Sequence, residues 1–270
     1  MNLLNILDKL SDDQFFTKMT SRSEGLSDIA NFGRKAAIAS IPLGLGSFMA
    51  TSAKAETTTT ASTFSAASAL TDALQLALVL EYLEDEYYRT GLATTGLIPS
   101  SDRAVFQQIS KHETAHVAFL KAALTSLEAT PGAKPKFDFT AGGNFQPFSD
   151  YKQFMILAQA FEDTGVRAYK GQAGNVASNK AILQAALQIH SVEARHASQV
   201  RRMRMNKGWI ELKDGGNMPA ATNAVYAGEE NVIQAGYNTS TLFGAAAGSA
   251  SFDETLSGSD SAAIAGLFIA

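Results

Sequence analysis

The sequence contains no cysteine, and that absence removes disulfide scaffolds, thiolate zinc sites and cysteine nucleophiles together. Any metal must rest on carboxylate and imidazole. Long charge runs are missing too: charged residues make up 18% of the 270 positions, the net charge is -4, and no basic stripe interleaved with aromatic residues appears. The electrostatic footprint of a nucleic-acid binder is therefore absent. So are a nucleophile elbow, a phosphate-binding glycine loop and the pattern of a catalytic triad. With 46% apolar residues, what remains is the balance of an ordinary soluble globular chain, long enough for one or two domains.

The amino terminus speaks to location. After Gly33-Arg34-Lys35 comes a mostly uncharged stretch, 36–53, rich in Ala, Leu, Ile and Gly, which ends at Ala53-Lys54-Ala55 before Glu56. A basic flank, an apolar run and an A-x-A site form the pattern of an export signal, so a periplasmic or extracellular location is expected. The run approaches the length of a membrane span, which makes an uncleaved anchor the competing reading. Pro42 and the neighbouring glycines weigh against an anchor, while 1–32 is long for a signal and holds several acidic residues. A retained segment would leave the protein membrane-anchored or cytoplasmic. Residues 1–55 are read as export signal or anchor, and the Thr- and Ser-rich stretch 56–66 as a linker.

From 67 to 206 the pattern changes to long helical periodicities. A first helix is expected over 67–92, with Leu74, Ala77, Leu78, Glu81 and Tyr88 on one side and Gly91, Gly96 and Pro99 as stop signals. A second is expected over 102–128, capped by Ser100 or Ser101 and closed by Pro131 and Gly132. The connection 129–148 is too long for a tight turn. About 20 extended residues reach ~60 Å, more than the ~40 Å length of the second helix, so this segment can cross over. A third helix, capped by Ser149 or Asp150, is expected to run to about 172, where Gly171, Gly174 and Asn175 mark its end; a fourth runs from Ser178 to about 206, stopped by Gly208. The expected fold class is all-α, a four-helix bundle of two hairpins joined by a long crossover. Residues 207–270, rich in Gly, Asn, Ser, Thr and Ala, are expected to form an irregular extension that packs on the bundle or on partners. Asp260 can cap a small helix near its end.

Two matching pairs carry the chemistry: Glu113-Thr-Ala-His116 on the second helix and Glu193-Ala-Arg-His196 on the fourth. Each pair lies on one helical face. The same faces hold Phe106, Ile109, Val117, Leu120 and Leu124, and Ala186, Ile189, Ala197, Val200 and Met203, so both pairs point inward. A carboxylate and an imidazole in a core need a partner, a hydrogen bond or a metal. The first and third helices each add one inward carboxylate, Glu81 and Glu162, and each of these precedes a tyrosine by seven residues, Tyr88 and Tyr169. The two halves are offset by 81 and 80 positions, which implies a pseudo-twofold arrangement. One lone Glu and one Glu-x-x-His per hairpin is the ligand set of a di-iron or di-manganese carboxylate bundle. Nearby polar residues are assigned more modest places. Tyr88 and Tyr169 are packing residues whose hydroxyls bond ligand carboxylates. Glu84, Asp85 and Glu86 read as a solvated cluster, although Glu84, three residues after Glu81, is able to face the site. His190 reads as a hydrogen-bonded flank with a ligand or supporting role as its alternative, and His112 as a surface or interface residue.

These motifs over 67–206 resemble the ferritin-like superfamily. The segments Tyr226-Ala-Gly-Glu-Glu-Asn and Phe252-Asp-Glu-Thr-Leu look like bacterial ferritin-like domain proteins related to plant desiccation-related proteins. The resemblance implies Glu81, Glu113 and His116 around one metal and Glu162, Glu193 and His196 around the other, with Glu113 and Glu193 bridging. Four carboxylates nearly neutralise two divalent ions, and oxygen with imidazole donors suits two iron ions, or manganese, per chain.

Two functions are expected to compete. In the first, a dimetal protein, a possible di-iron or di-manganese oxidoreductase, handles dioxygen or hydrogen peroxide in oxidative stress. In the second, the bundle is an exported structural or stress-associated protein without turnover, its tail serving assembly. A homo-oligomer is compatible with either, and a hollow storage shell fits poorly with extensions at both ends. Metal ions are the expected partners in the first case; nucleic acid is expected in neither.

Overall fold

The computed structural model describes residues 66–270, and the expected export signal and nearly all of the expected linker lie outside the described residues. Four long helices carry the fold: α1 (Ala66–Ala93), α2 (Ser100–Ser126), α3 (Tyr151–Val176) and α4 (Lys180–Met203). α1 packs on α2 and α3 on α4, giving two hairpins that meet mainly through α1 and α3 and less through α2 and α4. No helix among the described residues is long and apolar enough to cross a membrane.

The helix starts follow local chemistry and correct one expectation. α3 begins at Asp150, whose Oδ1 accepts from the Lys152 amide at 2.8 Å, and α4 at Asn179, whose side chain accepts from the Ile182 amide at 3.2 Å. Neither Ser100 nor Ser101 caps α2. The cap position is Pro99, without a side-chain hydrogen bond, because Ser100 is already helical and proline fixes φ for the chain that enters the first turn. Gly171 does not end α3 either. It lies inside that helix, where a Cβ would fall 1.8 Å from the Leu256 carbonyl oxygen; the glycine serves a close approach of the tail.

Apolar clusters fill the two ends of the bundle. One gathers Tyr87, Tyr88, Phe106, Phe154, Phe161 and Val200; the other gathers Leu74, Leu78, Leu120, Leu124, Val176 and Ile182. Glu81, Glu113, Glu162 and Glu193 lie between these plugs, midway along their helices. The connection 127–150 adds Phe139 and Phe145 to the first cluster. The chain end pairs with it, through Asp138 N to Phe268 O at 2.8 Å and Ala270 N to Lys136 O at 2.9 Å.

The tail holds more regular structure than its composition led one to expect: α5 (Asn223–Tyr226), a hairpin of β1 (Ile233–Gln234) and β2 (Tyr237–Asn238), α6 (Ser240–Ala250), kinked at Gly244 with φ 86, and α7 (Gly258–Gly266). β1 and β2 are antiparallel with Ile233 opposite Asn238. Asp260 is not the cap of α7. Ser257 caps it by accepting from the Asp260 amide at 3.1 Å, and its hydroxyl donates to Asp260 Oδ2 at 2.6 Å, so the side chain that caps the helix is itself held in place. Arg167 of α3, 1% exposed, pins the tail: it pairs with Glu229 at 2.7 Å and donates to the carbonyls of Val225, Ala227 (2.8 Å) and Glu254 (3.0 Å). Beside it Asp163 accepts from Arg201 at 2.6 Å and from the Tyr226 hydroxyl at 2.9 Å.

Candidate metal centre

The structure brings all six residues of the two motifs and their lone partners into one cluster. Glu81, Glu113, Glu162 and Glu193 are each 0% exposed, with His116 and His196 at 9% and 5%. Their donor atoms form two overlapping groups, each with its atoms within 4.8 Å of one another: Glu81, Glu113, His116 and Glu193 in one, and Glu113, Glu162, Glu193 and His196 in the other. Glu113 and Glu193 belong to both. The geometry follows from the sequence spacing, because a carboxylate and an imidazole three residues apart project from neighbouring turns of one face.

Each imidazole turns Nδ1 toward carboxylates. His116 Nδ1 stands 3.2 Å from Glu81, 3.0 Å from Glu113 and 3.1 Å from Glu193. His196 Nδ1 stands 3.0 Å from Glu113, 3.1 Å from Glu162 and 3.7 Å from Glu193. Several of these approaches do not align a hydrogen on the oxygen: Glu113 Oε1 and both oxygens of Glu193 are buried without a hydrogen bond. Buried carboxylate oxygens normally find donors. Here they converge with imidazole nitrogens instead, a donor set that fits hard-to-borderline divalent cations. These buried groups are compatible with metal binding.

The electrostatics show the strain of gathering such groups. Burial, then the charge of Glu193, raises Glu113 well above the carboxylate range, and burial brings Glu162 up to about 7. Burial alone would raise Glu193 as well, but the neighbouring imidazoles of His116 and His196 hold it down to about 2. For His116 burial works downward and is overcome by Glu113, Glu193 and Glu81, which push it up to about 12; His196 moves in the same direction against the same burial, held by Glu162, Glu113 and Glu193. Without metal, the two imidazoles carry the positive charge that the carboxylates require.

Supporting contacts cross between the hairpins. Tyr88 of α1 donates to Glu162 Oε1 of α3 at 2.5 Å, and Tyr169 of α3 donates to Glu81 Oε1 of α1 at 2.5 Å. Burial, then the adjacent carboxylate, raises both phenols far above their ordinary value, so they remain donors. Each bond leaves Oε2 of its glutamate facing the imidazole Nδ1 of the same half-site.

Three residues are placed wholly or partly otherwise than expected. His112 is partly exposed, as expected, but it also reaches the centre: its Nδ1 lies 2.8 Å from His196 Nε2, its ring stacks on that ring at 5.1 Å, and its Nε2 meets Gln108 at 2.7 Å. Its spacing of four from His116 puts it on the inward face, a signal obscured by comparing it only with adjacent Glu113. Nor is the acidic triplet solvated. Glu84 is 3% and Asp85 7% exposed; Asp85 accepts from the Thr114 hydroxyl at 2.6 Å, and only Glu86 reaches outward, to Lys134 at 2.5 Å. His190 lies outside both groups, with Nδ1 3.0 Å from the Val166 carbonyl.

A family model described as a ferritin-like domain matches residues 69–206, about half of the chain. No curated protein matches the sequence. With an all-α bundle whose core gathers carboxylates and imidazoles, the chain belongs to the ferritin-like domain family.

Proposed function

We propose that this protein binds two metal ions, iron or manganese, and handles dioxygen or peroxide at them as a protective function in stress. The observation that carries the reading is the set of buried carboxylate oxygens on Glu113 and Glu193 that accept no hydrogen bond while lying between two imidazole nitrogens. Glu81, Glu113 and His116 would hold one ion and Glu162, Glu193 and His196 the other, with Glu113 and Glu193 shared. The ions, when bound, supply Lewis-acid and one-electron chemistry toward the oxidant. The chain's own residues do the rest: Tyr88 and Tyr169 orient the two lone glutamates, His112 backs His196, and the apolar plugs keep water from both ends. Such supporting hydrogen bonds fix ligand geometry. We further propose export on the strength of 33–55, and kinship with desiccation-related proteins on the tail motifs.

A second reading, a structural bundle acting through its tail, is favoured by the exposed Leu242, Phe243 and Tyr237 beside a tail firmly pinned to α3. Elemental analysis of protein purified without added metal, beside the Glu113→Ala/Glu193→Ala double variant, separates the two. About two iron or manganese ions per chain, lost in the variant, is the expected result. No stoichiometric metal, even after anaerobic loading with iron(II) and manganese(II), overturns the dimetal reading and leaves the structural one.

A further inference from the structure

Glu84 stands one helical turn beyond Glu81 and four residues before Tyr88, on the stripe of α1 that faces the centre. It is 3% exposed and makes no hydrogen bond to any described residue. A buried carboxyl without a partner is costly and uncommon. Among the described residues, the cavity on its outer side offers no free donor. The small cavity beside it, about 10 Å³, is lined by Leu80, Leu83, Phe161 and Ile264, and the one hydroxyl there, Thr164, is committed to the Ala160 carbonyl at 2.7 Å. Such a space is at most water-sized.

On its other side Glu84 meets the centre across bare backbone. A Cβ on Gly165 of α3 would sit 3.3 Å from Glu84 Oε1 and 3.4 Å from Glu193 Oε2, so the absence of a side chain lets both carboxylates close on one point of α3. Gly165 is also the counterpart of Glu84: the offset of 81 that relates Glu81 to Glu162 and Tyr88 to Tyr169 relates Glu84 to Gly165. At this pair of positions one half of the bundle supplies an acid and the other supplies the bare backbone beside it.

We infer that Glu84 is a fifth carboxylate of the metal centre, turning into coordination across the bare backbone of Gly165. In the geometry described Glu84 lies outside both four-residue groups, so its ligation requires a rotation of the side chain about its own bonds, toward Glu193. The inference rests on the dimetal reading.

The test uses the full chain loaded anaerobically with cobalt(II), a probe whose visible spectrum reports its ligands. Glu84→Gln is the decisive variant, because glutamine copies the shape of a neutral buried acid but cannot replace a carboxylate ligand. The expected result is unchanged folding by circular dichroism, an altered cobalt spectrum, and affinity lowered about tenfold to a hundredfold. Gly165→Ala provides a second arm, read in the wild-type and Glu84→Gln backgrounds because its methyl crowds Glu193 as well as Glu84: a shift that is smaller in the Glu84→Gln background belongs to Glu84. Wild-type protein that binds cobalt while both variants keep its spectrum and affinity overturns this inference alone. Wild-type protein that takes up no metal overturns the dimetal reading with it.

Discussion

Four residues of the α1–α2 hairpin at the centre have an identical counterpart 80 or 81 positions later in α3–α4: Glu81 and Glu162, Tyr88 and Tyr169, Glu113 and Glu193, His116 and His196. Outside this set the halves part company. Glu84 answers to Gly165, His112 to Val192, and Glu86 to Arg167. The first of these changes puts an extra carboxyl beside one lone ligand, the second gives His196 a hydrogen-bonded backing ring, and the third replaces a half-exposed acid by a buried cation that binds the tail. The difference teaches where symmetry is required. Groups that share charge at the centre are held in matched pairs, and those that meet the rest of the chain are free to diverge.

The largest effect expected from this comparison concerns stability. Arg167→Ala leaves Glu229, 2% exposed, without its counter-ion and removes the donors to four tail carbonyls. Breaking a buried pair in this way costs ~3–5 kcal/mol. Glu86→Ala, at the counterpart position, removes a part-exposed pair with Lys134 and costs below ~1 kcal/mol. Urea unfolding of the metal-free variants measures both. Equal losses would mean that the tail adds nothing to the second hairpin.

A smaller effect tests the symmetric part. Tyr88→Phe and Tyr169→Phe each remove one hydrogen bond to a buried glutamate in the opposite hairpin, and metal affinity is expected to fall about tenfold to a hundredfold in each. Titration with cobalt(II) or manganese(II) compares them. Losses of the same size sharpen the pseudo-twofold picture, while a large loss in one and none in the other breaks it.

How much of this was legible beforehand differs by region for physical reasons. The long helices and the convergence of the two Glu-x-x-His pairs with Glu81 and Glu162 rest on 3.6-residue periodicity, which is strong where one face is apolar. Glu84 and Asp85 were obscured because three adjacent acids read as a solvated face, and only packing against α3 and Thr114 shows that two of them turn inward. α6 and α7 lack an amphipathic stripe: built of Ala, Gly and Ser, they gain stability from packing and from the Ser257 cap. Gly171 reads locally as a stop signal, yet its role is set by Leu256, 85 positions away in the chain.

Acid–base behaviour sharpens the comparison further. His116 in the first hairpin, pushed up to about 12, and His196 in the second, raised likewise, both carry a proton at neutral pH without metal. A folded-state value above the ordinary 6.5 contributes stability that is fully present below 6.5. For His116 that contribution is lost as pH rises through about 12. Ligation needs neutral imidazoles and ionised carboxylates, so loading the two ions releases the two imidazole protons together with the proton that burial keeps on Glu113 and part of the one on Glu162, about three per chain. Between neutral pH and the raised values, each pH unit tightens each ion about tenfold. Calorimetry in two buffers of different ionisation enthalpy counts the protons. Release of fewer than two protons would mean that at least one hairpin withholds its imidazole.

The smallest expected difference lies at the helix starts of the two motif-bearing helices. Pro99 before α2 and Asn179 before α4 occupy counterpart positions, 80 apart. Pro99 offers no side-chain acceptor, whereas the Asn179 side chain accepts from the Ile182 amide at 3.2 Å. Removing such a cap leaves one amide of the first turn unsatisfied, and Asn179→Ala is expected to cost ~1 kcal/mol. Ser100→Ala alters an exposed residue already inside α2, where the expected change stays within ~0.5 kcal/mol. Thermal unfolding of the metal-free variants resolves the two. A cost at Ser100 equal to that at Asn179 would show that α2 is capped by its serine after all and that the two helices start in the same way.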